Sequence, residues 1–169
     1  FSLVLENRIT EMHQGAFLAA LCAKGETPEE LAAAWQAIHD IDTVSINNLS
    51  EDKVVENSGT GMDAVKTFNI STAASLVAAA HGAKLARHGS RAITSRCGTV
   101  DLAEALGVDV ECPAELVTNS IRHSNIGLFN GTSRTVHPRA LGRVLSGIRF
   151  GSTLNISASL ANPARPRLG

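Results

Sequence analysis

The chain has 169 residues, with 15 Lys and Arg against 16 Asp and Glu for a formal net charge of −1; 44% of its residues are hydrophobic, 4% aromatic and 18% charged. That composition excludes a disordered polyelectrolyte and suits one domain, or one and a fraction, built round an apolar core. Near-zero charge argues against a surface made to neutralise many phosphates of a nucleic acid, and the apolar stretches, such as Ala73–Ala80, fall far short of the ~20 residues that span a bilayer.

The three cysteines, Cys22, Cys97 and Cys112, have no CxxC spacing. They fit neither a disulfide framework nor a four-ligand zinc site, so a reducing, cytoplasmic setting without a membrane anchor is expected. The chain starts at Phe1 without an initiator Met and stops on a turn-rich run from Pro163 to Gly169, which suggests a segment of a longer protein.

Residues 11–24 are predicted as a helix: Met12, Gly15, Ala16, Ala19 and Cys22 repeat at helical spacing, and Gly25 supplies a left-handed stop. Thr27, Pro28 and Glu30 then read as N-cap, first-turn proline and capping-box acid of a second helix, whose buried stripe is Leu31, Ala34, Trp35 and Ile38. Residues 44–51 are more polar and form the expected linker. Beyond it, Lys53–Val55 reads as a short buried strand, Ser58–Asp63 as a glycine turn, and Ser71–His81 as an Ala-rich helix ending at Gly82.

Ala83–Arg87 is the next expected strand, followed by a polar turn at His88–Ser90 and a helix over Thr99–Leu106. Further helices are expected over Pro113–His123 and Pro138–Leu145, with Gly151–Ile156 returning to the sheet. The alternation implies an α/β fold: a small all-helical N-terminal domain over 1–45, and an α/β domain over 53–169 whose mostly parallel central sheet is incomplete in this chain. Residues 132–147 are expected to pack on the helical domain.

Two clusters carry chemistry. Glycines flanking Thr60 let backbone approach a ligand, and the helix start beyond them can bind an anion. Asp63, Lys66, Thr67, Asn69, Ser71 and Thr72 crowd that point with more hydrogen-bonding side chains than helix capping requires. The second cluster, Arg87 to Arg91 with Thr94, Ser95 and Arg96, follows the next strand. It should face the same crevice, because ligands of parallel sheets lie beyond the carboxyl ends of the strands. Its arginines can hold phosphate oxygens or form a solvated basic loop. His88 is expected to be a neutral, hydrogen-bonding wall of the site. His13, His39, His81, His123 and His137 lack metal-ligand spacing and are expected at surfaces or caps, and Cys97 is expected to be a small packing residue.

Val55–Thr72, reading VENSGTGMDAVKTFNIST, resembles the GTGGDG and TFNIST signatures of the anthranilate phosphoribosyltransferases, and Arg87–Val108, RHGSRAITSRCGTVDLAEALGV, resembles their KHGNR and DxLEALG segments. GAFLAALCAKGET at Gly15–Thr27 and LNISASLANPA at Leu154–Ala164 extend the likeness over most of the chain.

The resemblance implies transfer of the phosphoribosyl group of phosphoribosyl pyrophosphate (PRPP) to anthranilate or a related aromatic amine, with release of pyrophosphate, as in tryptophan biosynthesis. By residue match it assigns PRPP contacts to Gly59, Thr60, Gly61, Asp63, Thr67, Asn69, Ile70, Ser71, Thr72, Arg87, His88, Gly89, Ser90, Arg91, Ser95 and Thr99. It assigns acceptor contacts to Gly59, His88, Ser90 and Arg143, a Mg2+ ligand to Ser71, and a homodimer to the assembly. The reaction needs positioned donors and a metal rather than a nucleophilic side chain.

Met62 and Ala64 stand where the family has glycines, Arg87 replaces a lysine, and Ser90 replaces an asparagine. The adjacent acidic pairs Glu29–Glu30 and Glu51–Asp52 both precede the glycine turn, so the family's later Asp-Glu pair for a second Mg2+ has no counterpart. Two other functions stay open: a non-catalytic relative binding a polyanion through Arg87, Arg91 and Arg96, and a nucleoside phosphorylase.

Overall fold

A computed structural model describes residues 1–46, 49, 53–59, 67–92, 95–148 and 150–169. Three helices come first: α1 (Ser2–Leu5), α2 (Glu11–Lys24) and α3 (Pro28–Asp42). Thr10 accepts from the His13 N–H at the start of α2, and Gly25 ends it at φ 82°. The start of α3 is the capping box read from sequence, with Thr27 and Glu30 each accepting from the other's backbone N–H.

The α/β part holds β1 (Val54–Val55), α4 (Ile70–Ala80), β2 (Lys84–Gly89), α5 (Thr99–Ala105), α6 (Ala114–Ser124), β3 (Ile126–Asn130), α7 (Leu141–Gly147) and α8 (Thr153–Ser159). The strands form a parallel sheet in the order β1-β2-β3, with Leu85 opposite Ile126 and His88 opposite Phe129. A parallel bridge joins Leu168 to the free side of β1 at Val55. Successive side chains point to opposite faces: Phe129 packs with Val117 and Ile121 of α6, whereas Leu128 packs with Val100 and Ala103 of α5.

Three elements differ from the sequence reading. Residues 151–156 do not return to the sheet: Thr153–Ser159 is a helix, because Leu154, Ala158 and the following Ala161 repeat at helical spacing and fill the apolar cluster of the helical layer. Asn155 fixes the start of α8, its Oδ1 accepting from both the N–H and the hydroxyl of Ser152. The strand after α4 runs on through His88 and Gly89 instead of turning there, since β3 supplies partners for both. The third difference is β3 itself, a five-residue strand with Gly127 inside it that breaks up the apolar pattern.

The two parts share one core. Val4, Leu5, Leu18, Ala34 and Ile38 of α1–α3 pack with Leu141 and Val144 of α7 and with Leu154 of α8. Each such fully buried Leu or Ile contributes on the order of 1.5–3 kcal/mol relative to exposure.

At their seam Asp42, the last residue of α3, is fully buried. Its carboxylate accepts the N–H groups of Arg139 (2.5 Å), Ala140 (2.9 Å) and Leu141 (2.5 Å). The helix expected from Pro138 therefore begins at Leu141, where the borrowed carboxylate caps it. The Asp42 carbonyl accepts from His137 Nδ1 at 2.7 Å, and His137 Nε2 lies 3.2 Å from His88 Nε2. Since His137 donates through Nδ1, its Nε2 is the acceptor and His88 Nε2 carries the proton. Burial holds both imidazoles neutral, pushing His88 down to about 3 and His137 also down.

Asp42→Ala is expected to destabilise the fold by at least about 3 kcal/mol, because three buried N–H groups each lose a charged acceptor worth ~1–3 kcal/mol; the denaturant midpoint checks it. The histidine pair sets a pH dependence. Both groups titrate at lower pH folded than unfolded, so stability is complete above about pH 6.5 and is lost as pH falls toward 3. Glu56, whose carboxyl burial pushes up, opposes this trend, so the slope is best read in Glu56→Gln. Between pH 7 and 5 the unfolding free energy should fall by up to about 1.4 kcal/mol per pH unit per histidine, and replacing His137 by Gln should flatten it. A flat profile in Glu56→Gln would refute the neutral pair.

Candidate functional site

Strands β2 and β3 end together at Gly89 and Asn130, and beyond their carboxyl ends opens a cleft of about 1520 Å³. It exceeds the ~300–1,000 Å³ of an ordinary small-molecule pocket, leaving room for two ligands. Its walls are the turn after β1, the first turn of α4, the end of β2 with the loop to α5, Gly131 after β3, and parts of α7 and α8.

All of the sequence-assigned contact residues from Gly59 to Thr99 that the structure describes line this cleft: Gly59, Thr67, Asn69, Ile70, Ser71, Thr72, Arg87, His88, Gly89, Ser90, Arg91, Ser95 and Thr99. Thr60, Gly61 and Asp63 lie outside the described residues.

Gly59 faces α4 so closely that an added Cβ would lie 3.6 Å from Ser71 Oγ. The start of α4 has no acidic residue and, among the described residues, no side-chain cap. Asn69, the capping candidate, donates instead to Cys97 Sγ at 3.6 Å. The Thr72 hydroxyl is buried without a partner among the described residues. Here an 11-residue helix presents N–H groups and a donor-capable hydroxyl to a cleft, the arrangement that suits an anion.

On the β2 side, Arg87 is only 3% exposed. Its Nη1 donates to Ser75 Oγ at 2.9 Å and its Nη2 to Thr99 Oγ1 at 3.5 Å, while Nε has no partner among the described residues. Arg91 also lines the cleft but is tied to α5, through Nη1 to Asp101 (3.1 Å) and Glu104 (2.7 Å) and through Nη2 to Glu104 (3.2 Å). Asp101 in turn accepts from the N–H groups of Gly98 and Ala92, both at 2.8 Å, which closes the loop onto the start of α5.

Two glycines are required by close approach. A Cβ at Gly98 would lie 2.6 Å from the Ser90 carbonyl oxygen, and one at Gly131 would lie 2.8 Å from His88 Nε2. His88 is 3% exposed, and its Nδ1 has no partner among the described residues.

Arg143 is not brought to the cleft. It sits on α7 with Nη1 3.3 Å from Gln14 Oε1 and 3.8 Å from Glu11 Oε1, held by α2 while its neighbour Leu145 reaches the cleft wall. Cys97 is not a packing residue either: it is exposed and lines the cleft, because the loop turns outward to reach α5. His137, expected at a surface or a cap, is buried against His88. Gly131, Asn155 and Ser159 join the wall unanticipated. Asn155 and Ser159 lie in the LNISASLANPA run, to which no contact was assigned, and Gly131 carries no local motif. Among the described residues no group of three or more His, Cys, Asp or Glu could hold a metal, and no helix is long and apolar enough to cross a membrane.

Comparison with known proteins agrees with this architecture. Residues 1–40 match the model described as "Glycosyl transferase family, helical bundle domain", and residues 51–169 match "Glycosyl transferase family, a/b domain". The anthranilate phosphoribosyltransferase of Syntrophobacter fumaroxidans is 39% identical over 96% of this chain and 48% of its own length. That of Methanocorpusculum labreanum is 37% identical over 95% and 47%. The chain thus spans about half the length of the curated relatives it matches.

Among solved structures, the anthranilate phosphoribosyltransferase of Thermus thermophilus superposes with a TM-score of 0.80 at 33% identity, over 96% of this chain and 49% of that one. The Saccharomyces cerevisiae enzyme, solved with PRPP and Mg, has the same fold, with a TM-score of 0.73 at 24% identity over 90% and 43%. With its helical part and its α/β part both matched by the family's models, and the α/β match alone covering well over half of its residues, the chain belongs to this glycosyl transferase family.

Proposed function

We propose that this chain carries the PRPP site of a phosphoribosyltransferase that transfers the phosphoribosyl group to anthranilate or a related aromatic amine and releases pyrophosphate, the type of step used in tryptophan biosynthesis. The observation that carries this reading is the start of α4. Its N–H groups lack a side-chain cap among the described residues, the Thr72 hydroxyl is orphaned, and Ser71 and Gly59 adjoin at the same wall of the cleft. A diphosphate is the ligand that so many neutral donors and so few free cations suit. The identity of the relatives as anthranilate phosphoribosyltransferases supports the same substrate pair.

In the reaction the acceptor's nitrogen forms a bond to C1 of the ribose as the C1–O bond to pyrophosphate breaks, the electron pair leaving with the pyrophosphate. Charge develops on the departing oxygens, so the chain's task is to hold donors where it appears. The turn at Gly59 and the first turn of α4, with Asn69, Ser71 and Thr72, receive the pyrophosphate. Loop residues Ser90, Arg91 and Ser95, with Thr99, close over it.

Mg2+ suits this donor set: a hard cation takes hydroxyl and phosphate oxygens without a protein cage, and Ser71 is the residue that would hold it. When bound, Mg2+ neutralises charge on the leaving pyrophosphate. His88, neutral and buried, forms a wall of the acceptor side of the cleft, and Ser90 lines the same cleft. The polyanion-binding alternative finds less support, since two of the three arginines it would use, Arg87 and Arg91, are engaged by Ser75, Asp101 and Glu104. We place the protein in the cytoplasm, in keeping with its three unpaired thiols. We also place it as a homodimer through the helical layer, where Leu3, Met12 and Phe17 are exposed.

Ligand-induced stabilisation tests the reading. PRPP with Mg2+ at a hundredfold excess over Kd should add about 2.7 kcal/mol, roughly 5–10 °C in Tm for a chain of this size. Ser71→Ala should weaken the effect and its Mg2+ dependence. No shift with millimolar PRPP and Mg2+ would sink the proposal, and pyrophosphate release in a panel of aromatic amines identifies the acceptor.

A further inference from the structure

Asn57 and Ser75 do not line the cleft, yet they join two of its walls. Asn57 sits between β1 and Gly59, and Ser75 lies one helical turn beyond Ser71 on α4 and is fully buried. Asn57 Nδ2 donates to the Ser71 carbonyl at 3.0 Å. Ser75 Oγ lies 2.6 Å from Asn57 Oδ1 and 2.8 Å from the same Ser71 carbonyl, and it accepts from Arg87 Nη1 at 2.9 Å.

A serine hydroxyl bonded back to the carbonyl four residues earlier is common in helices. Here the hydroxyl also has a cation on its lone pair and a loop amide competing for its proton. A charged donor at one end polarises the hydroxyl and strengthens the bond it gives, so the chain Arg87–Ser75–Asn57 acts as one unit. It converges with Asn57 Nδ2 on the carbonyl of Ser71.

We propose that Asn57 and Ser75 are positioning residues: driven by Arg87, they clamp the turn carrying Gly59 onto the first turn of α4 and so hold Gly59 against Ser71 at the point where the diphosphate of the substrate is received. The clamp's role in binding rests on the reading of Gly59 and Ser71 given above; its existence does not. It also gives Arg87 a second role, as the buried cation whose charge stiffens a neighbouring turn.

The experiment uses Ser75→Ala and Asn57→Ala, with Thr118→Ala as control. Thr118 is likewise a buried hydroxyl bonded to the carbonyl four residues back, at Ala114 on α6, away from the cleft. Two readouts are taken on the whole chain: hydrogen exchange of peptides carrying residues 54–59 and 67–75, and the Kd of PRPP titrated against Mg2+. Either cleft variant should speed exchange in both peptides about tenfold and raise the Kd about tenfold, with a higher Mg2+ requirement, while Thr118→Ala leaves both unchanged.

Because the two residues form one unit, the double variant should be no worse than the single ones; a hundredfold loss would show independent contacts and overturn the proposal. Unchanged exchange in the two peptides overturns it whether or not PRPP binds. A parent chain that fails to bind PRPP refutes the proposed function, and exchange alone then upholds or overturns the clamp. Should Ser75→Ala not fold, Asn57→Ala cuts the same link from the loop side.

Discussion

The buried carboxylate of Asp42 is the constraint on which the arrangement of the molecule depends. An ionised group in an apolar seam costs several kcal/mol unless every lone pair is met, and here three consecutive N–H groups meet them. That requirement fixes the end of α3 against the start of α7 and so places α7 and α8 in the helical layer. The backbone of the same residue holds His137 through its carbonyl, and His137 holds His88 in one tautomer. The line from helical layer to cleft wall is therefore a continuous set of buried hydrogen bonds, and the polarity that His88 presents is decided about two residues away, at a peptide carbonyl.

The cleft shows how little charge an anion site can use. Arg91 is matched by Asp101 and Glu104, and Arg87 is turned inward with a buried Glu56 carboxyl near it. Apart from Arg96, what remains facing the space among the described residues is neutral: the N–H groups at the start of α4 and the hydroxyl of Ser71. Such donors are held by secondary structure, so they need no reorganisation as charge develops on a leaving group. A cluster of free arginines would bind a polyanion tightly before and after reaction alike, lowering the barrier less.

Sequence patterns made most of the fold legible where the signal was local. The capping box at Thr27–Glu30, the stop at Gly25 and the Ala-rich α4 all stand where residue spacing put them, and the cleft collects every described residue from Gly59 to Thr99 that was assigned to it. Failures came where a distant partner decides. Helix α7 starts at Leu141 because its cap comes from Asp42, almost a hundred residues earlier. Residues 151–156 looked extended because the β-branched Thr153 and Ile156 favour strands, but Leu154 and Ala158 had an apolar layer to fill. His137 gave no warning of its burial, since a lone histidine before a proline carries no pattern.

Arg143 shows the limit of residue matching. Its match implied a contact with the acceptor, yet its Nη1 lies at Gln14 and Glu11 of α2 and its Nη2 is buried without a partner among the described residues. Arg87 makes the complementary point. A lysine in its place offers one compact charge on a flexible stem, whereas a guanidinium can donate to Ser75 and Thr99 at once and keep a third N–H turned elsewhere. The exchange therefore has a consequence beyond the cleft surface. It comes with Ser75 and Asn57 in position to receive the extra donor, and the three side chains together tie the strand, the turn and the helix that a diphosphate would have to find already in place.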